Sequence, residues 1–192
     1  MCRFSESNKR KLGNTVAYIA RNAKYPYKTE VLKLLFLMEE YMVQSYHVPF
    51  LGIPFSVWKM GPVSVDVFEE LSDGPSLLEE YISIQVNGSR VRVIPKMSFE
   101  DDEFSDAELK MMADVMKKYG HLTTTELIEV THRKGGLWEM TAKENGLLDD
   151  FEQRRATCST VLIDMSRGLC PVDKKFYEET LSVRSAANML RS

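Results

Sequence analysis

The sequence predicts an α+β domain, mainly helical, with a small antiparallel sheet. Three observations predict it. Apolar residues recur at three- and four-residue spacing along most of the 192 residues. Residues 81–94 alternate apolar and polar side chains on either side of Asn87-Gly88, a hairpin signal. A shorter alternation, Phe55-Ser56-Val57-Trp58-Lys59-Met60, predicts one more strand.

The elements follow in order. Leu12, Val16, Ile19, Ala20 and Ala23 place one apolar stripe on a helix over 7–23, which Tyr25-Pro26-Tyr27 ends. Residues 29–46 predict the central helix, because Val31 through Met38 is apolar nearly all round. Its polar end, Glu39, Glu40, Gln44 and Ser45, is expected to reach solvent. Pro49, Gly52 and Pro54 make 47–54 a loop. Gly61-Pro62 is expected to stop the strand at 55–60, with Pro62 opening a helix over 62–72. Asp73-Gly74-Pro75 ends that helix. The hairpin of 81–86 and 89–94 about Asn87-Gly88 is marginal alone, so it packs on helices or pairs with 55–60.

Two capping boxes come next. Ser105-Asp106-Ala107-Glu108 opens a helix near 106–119, and Thr123-Thr124-Thr125-Glu126 opens one near 124–132. Gly135-Gly136 separates the second from a short helix begun by 137–142 and ending near Asn145-Gly146. From Asp149 the pattern stays helical: Val161, Leu162 and Met165 fit a helix ending at Gly168. Val172, Phe176, Val183, Ala187 and Leu190 fit a last helix at about 173–191. The expected organisation is a single domain over 1–192, with a core of about 10–145 and a helical extension of about 149–192.

Composition narrows the function. The net charge is -3, which argues against a nucleic-acid partner. The densest basic run, Lys9-Arg10-Lys11, reads as a solvated helix face. Three cysteines, Cys2, Cys158 and Cys170, form no CxxC pair and favour a reducing compartment. Cys158 and Cys170 are expected to pack as small apolar side chains. No signal sequence or membrane span is legible, so the expected location is cytoplasmic.

Catalysis has little to stand on. The three histidines, His47, His121 and His132, form no HExxH motif and no zinc spacing with cysteine. No GxSxG, P-loop or GxGxxG is present, so no catalytic set, metal or cofactor is expected. Residues 123–145 could form a helix-turn-helix, but Glu139 and Glu144 would repel phosphates. Eleven methionines fit core packing, and they also suit an adaptable binding surface.

One arrangement goes further. Lys33-Leu34-Leu35-Phe36-Leu37 is followed by Pro49, Gly52, Phe55, Trp58, Lys59, Gly61, Pro62 and Val63. Farther on stands Thr131-His132-Arg133-Lys134-Gly135-Gly136-Leu137-Trp138. These runs, over about 10–145, resemble the SocA-like Panacea antitoxin family. The chain departs from the family pattern at Glu39, where Asp is usual, at His47-Val48, and at Ser64, where Pro is usual. The resemblance implies a non-enzymatic, phage-associated antitoxin that binds a toxin encoded by a neighbouring gene. It leaves two other readings, an adaptor delivering the toxin to a protease and a DNA-binding regulator. The candidate partner-binding or motif residues are Trp58, Lys59, Met60, Gly61, Pro62, Val63, His132, Arg133 and Trp138. Trp58, Met60 and Trp138 are of the types that anchor interfaces, and both tryptophans could equally be core residues that hold the loop.

Overall fold

The structure is a computed structural model that describes residues 6–72 and 74–190. Cys2 lies outside them. Eight helices and two separate two-stranded antiparallel sheets form the described part. The mainly helical α+β class is as predicted. The single small sheet is instead two.

Helix α1 (Glu6–Asn22) and helix α2 (Lys28–Tyr46) come first. Helix α2 is buried continuously from Val31 through Glu40. It touches α1, three other helices and both sheets, as an all-round apolar helix must. Its polar end does not reach solvent at Glu39 and Glu40, which are 1% and 6% exposed. Gln44 and Ser45 are exposed.

Strand β1 (Ser56–Trp58) pairs with β2 (Gly61–Val63), so Gly61-Pro62 continues the sheet and does not open a helix. Helix α3 (Val65–Glu70) starts later. The reason is the register. Pro62 stands opposite Val57, whose N–H turns the other way, to the Val161 carbonyl. The ladder asks nothing of the N–H that proline lacks.

Strands β3 (Ile82–Asn87) and β4 (Arg90–Pro95) form the predicted hairpin. Asn87 pairs with Arg90, so the turn is Gly88-Ser89, one residue beyond Asn87-Gly88. Gly88, at φ +61°, takes the position that needs positive φ. The hairpin packs on helices, not on β1. Val93 N–H donates to the Pro26 carbonyl, and the Tyr81 ring occupies the space that a Cβ on Gly13 of α1 would fill.

Helices α4 (Asp106–Tyr119) and α5 (Thr124–Thr131) begin at Ser105 and Thr123 with both reciprocal capping-box bonds formed. Helix α6 (Leu137–Glu144) and the short α7 (Leu147–Glu152) follow. The helix expected around Val161, Leu162 and Met165 is absent. That segment is extended against β1: Val57 N–H bonds the Val161 carbonyl, Ile163 N–H the Phe55 carbonyl and Lys59 N–H the Thr157 carbonyl. β-Branched Thr160, Val161 and Ile163 suit this edge better than a helix.

Helix α8 (Pro171–Leu190) turns its Val172–Phe176–Val183 stripe outward, at 76%, 53% and 68% exposure. It docks through buried Tyr177 and through Arg184, which donates to the Phe50 carbonyl at 2.9 Å. Cys158 and Cys170 are exposed, so neither packs in a core. No helix among the described residues is long and apolar enough to cross a membrane.

Candidate functional site

The candidate residues gather where β1–β2 lies across α2 and the end of α5. Lys33 is the centre. It is 1% exposed, and its Nζ donates to the Pro62 carbonyl at 3.0 Å. Burial pushes its ammonium down to about 7, against an opposing pull from Glu30. Gly61 has φ +102°, and a Cβ there would stand 2.8 Å from Lys33 Cε and 3.0 Å from Thr131 Oγ1. Only glycine lets the hairpin settle onto both side chains.

The second half of the cluster is aromatic. His132 follows α5 as its C-cap and stacks on Trp138, with ring centroids 3.6 Å apart and planes 4° from parallel. Trp138 is 4% exposed, and its Nε1 donates to the Trp58 carbonyl at 3.0 Å. Trp138 therefore ties α6 to β1, and its burial fits a core residue. Trp58 is half-buried, tilted on Phe68 at 4.9 Å. Burial, then the charge of Lys33, pushes His132 down to about 4, so its imidazole is neutral at neutral pH.

Charged residues fasten the rest. Glu39 accepts from the backbone N–H groups of Phe50, Leu51 and Gly52 at 3.1, 2.8 and 3.2 Å, shaping the loop before β1. Burial pushes its carboxyl up, and those three bonds pull it back down. Arg133 pairs with buried Glu40 at 2.7 Å. Lys59 donates to the Phe151 carbonyl at 2.6 Å. Met60 is different: it sits at the β1–β2 turn and is 55% exposed.

Gly61, Pro62 and Val63 are buried, Lys59 and His132 half-buried, and Arg133 exposed. Sequence reasoning missed Lys33 as the hub, and with it Glu39 and Glu40. The available signal was charge within a mostly apolar helix, Glu30, Lys33, Glu39 and Glu40, since a helix buried all round must pair its charges.

Chemically the cluster holds a shape. No His, Cys, Asp and Glu group among the described residues is placed to hold a metal ion. Helix α6 buries Leu137, Trp138, Thr141 and Ala142 and leaves Lys143 and Glu144 exposed. Each cation of the basic run in α1 faces a carboxylate: Lys9 with Glu80, Arg10 with Glu103, Lys11 with Glu108.

A family model, antitoxin SocA-like, Panacea domain, matches residues 31–139. This chain belongs to the SocA-like Panacea family. The Panacea region opens inside α2, two residues before Lys33, and closes inside α6, one residue after Trp138. Its ends are thus brought together by the cluster itself. Helix α1 and everything after residue 139 lie outside the match. Neither the curated proteins nor the solved structures contain a match.

Proposed function

We propose that this Panacea protein is the antitoxin of a toxin–antitoxin pair and neutralises its toxin by binding it directly, through the end of the molecule that carries Met60. One observation carries the reading. Met60 is exposed on a mount that cannot move freely. Lys33 bonds Pro62, Trp138 bonds Trp58, Lys59 bonds the Phe151 carbonyl, and Ser159 Oγ bonds the Val57 carbonyl at 2.7 Å. A rigid turn spares the backbone entropy cost of binding, and the exposed apolar side chain it carries gains burial in a partner's pocket. A Cβ on Gly61 would stand 3.0 Å from Thr131 Oγ1, so β2 lies against the end of α5, which exposed Arg133 and Lys134 follow. A toxin surface with an apolar pocket and acidic rim fits this end.

The test is co-expression with the product of the neighbouring gene. Restored growth and a co-eluting complex on size exclusion support the reading; unrestored growth with no complex rejects it. The outward stripe of α8 favours a second reading, a proteolytic adaptor, since an adaptor needs a second exposed surface for the protease. In that case rescue vanishes in protease-deficient cells, whereas simple sequestration survives.

A further inference from the structure

The β3–β4 hairpin has one covered edge and one open one. On the β4 side, Val93 N–H donates to the Pro26 carbonyl, and Tyr27 bridges to Arg92. On the β3 side, no strand or bridge among the described residues pairs with it. Along β3 the side chains emerge from the core: Ile82 is 1% exposed, Ile84 is half-buried and Val86 is 62% exposed.

The register fixes which backbone groups this edge offers. Val93 turns its N–H away from β3, so Ile84 and Val93 are one of the pairs that exchange no bonds. Ile84 therefore faces outward with its own N–H and carbonyl. The alternation puts Val86, opposite Val91, in the same position. Pro95, opposite Ile82, agrees with this parity, because such a pair asks no N–H of it. An outward donor and an outward acceptor thus stand at each of Ile84 and Val86.

The edge carries none of the devices that keep strands apart. β4 holds Arg90, Arg92 and Pro95, whereas Ile82-Ser83-Ile84-Gln85-Val86-Asn87 has no charge and no proline. Neutrality and self-match point to the occupant. A two-fold axis sets a strand against its own copy, where like charges repel and a neutral strand does not. Antiparallel pairing about Gln85 sets Ile84 of each copy opposite Val86 of the other. Every outward donor then meets an outward acceptor. The same pairing lays Ile84 against the exposed Val86 on one face, an apolar cross-strand pair. A lone hairpin is marginal in water, and two joined edge to edge form one four-stranded sheet.

We propose that β3 is a strand-addition site for a second copy of this chain, pairing antiparallel with β3 of that copy through the backbone groups of Ile84 and Val86. The dimer does not rest on the toxin-binding reading, and either can fail alone.

Sedimentation equilibrium and light scattering of the purified full chain test it. The expected result is a concentration-dependent dimer with a Kd of about 100 μM or tighter. Hydrogen exchange locates the contact: the Ile84 and Val86 amides exchange at least about tenfold more slowly at dimer concentrations than at dilution. Val86→Pro removes an outward N–H that the hairpin does not use, so it raises the Kd by about tenfold or more and keeps the thermal midpoint. Val86→Lys puts a charge on the exposed edge and does the same, and it serves should the proline variant not fold. The proposal is overturned by a chain that stays monomeric at about 100 μM, or by Ile84 and Val86 amides that gain no protection. It is equally overturned by a dimer that survives either folded variant, which gives the contact to another face such as the α8 stripe. A monomer whose toxin binding is lost in Val86→Lys also overturns it, and gives the edge to a strand of the toxin.

Discussion

Lys33 shows what one residue does here. It is the only hydrogen-bond donor the described structure places on the Pro62 carbonyl, and its burial leaves a trace in pH. The folded chain releases the Lys33 proton at about 7, whereas its ordinary value is 10.5. Between those values the unfolded chain holds the extra proton, so stability rises with pH across that window. His132, lowered to about 4 from 6.5, acts with the same sign lower down: stability falls as pH falls from 6.5 toward 4. Urea unfolding of Lys33→Met from pH 7 to 10 is expected to lose most of the wild-type slope while keeping the acid limb. This residue was half-legible in the sequence. A lysine in an apolar run is visible; that the run is buried on all sides, and that glycine opposite makes room for it, depends on the hairpin arriving from 28 residues away at Gly61.

At the scale of elements, local chemistry was the most readable. Both capping boxes formed as predicted, because four consecutive residues contain the whole interaction. Ser105→Ala and Thr123→Ala should each cost about 1 kcal/mol in chemical denaturation, and the double variant about the sum, since the caps share no partner. What failed was whatever depends on a distant neighbour. Pro62 reads as a helix starter until β1 is seen turning the Val57 N–H toward the Val161 carbonyl. The segment about Val161 reads as helix until β1 offers it an edge. The helical spacing of Val172, Phe176 and Val183 shows the helix but not which face docks, and Tyr177 and Arg184 make the docking contacts. The hairpin was legible as a pair of strands, but Asn87-Gly88 and Gly88-Ser89 are both acceptable turns, and only the packed register separates them.

For the molecule as a whole, the Panacea match covers residues 31–139 while the chain beyond it returns to the same body. A chain ending at Glu152 loses the acceptors at Thr157 and Val161 and the buried side chains Ile163, Met165 and Tyr177. Hydrogen exchange should then show faster exchange at the Val57 and Lys59 amides and a lower denaturation midpoint; unchanged protection would mean that the β1–β2 mount stands without the tail. The candidate site divides in the same way. The sequence marked residues that the structure gathers around one turn, but their type could not tell which hold the turn and which project from it, because tryptophan and lysine serve both. The structure separates them: Pro62, His132 and Trp138 hold the turn, and Met60 projects from it. The most direct measurement is therefore the affinity of Met60→Asp for the toxin, read beside growth rescue and the thermal midpoint. Weakening by about 2 kcal/mol or more, lost rescue and an unchanged midpoint is the predicted result. Full affinity and full rescue in the variant would contradict binding through this end.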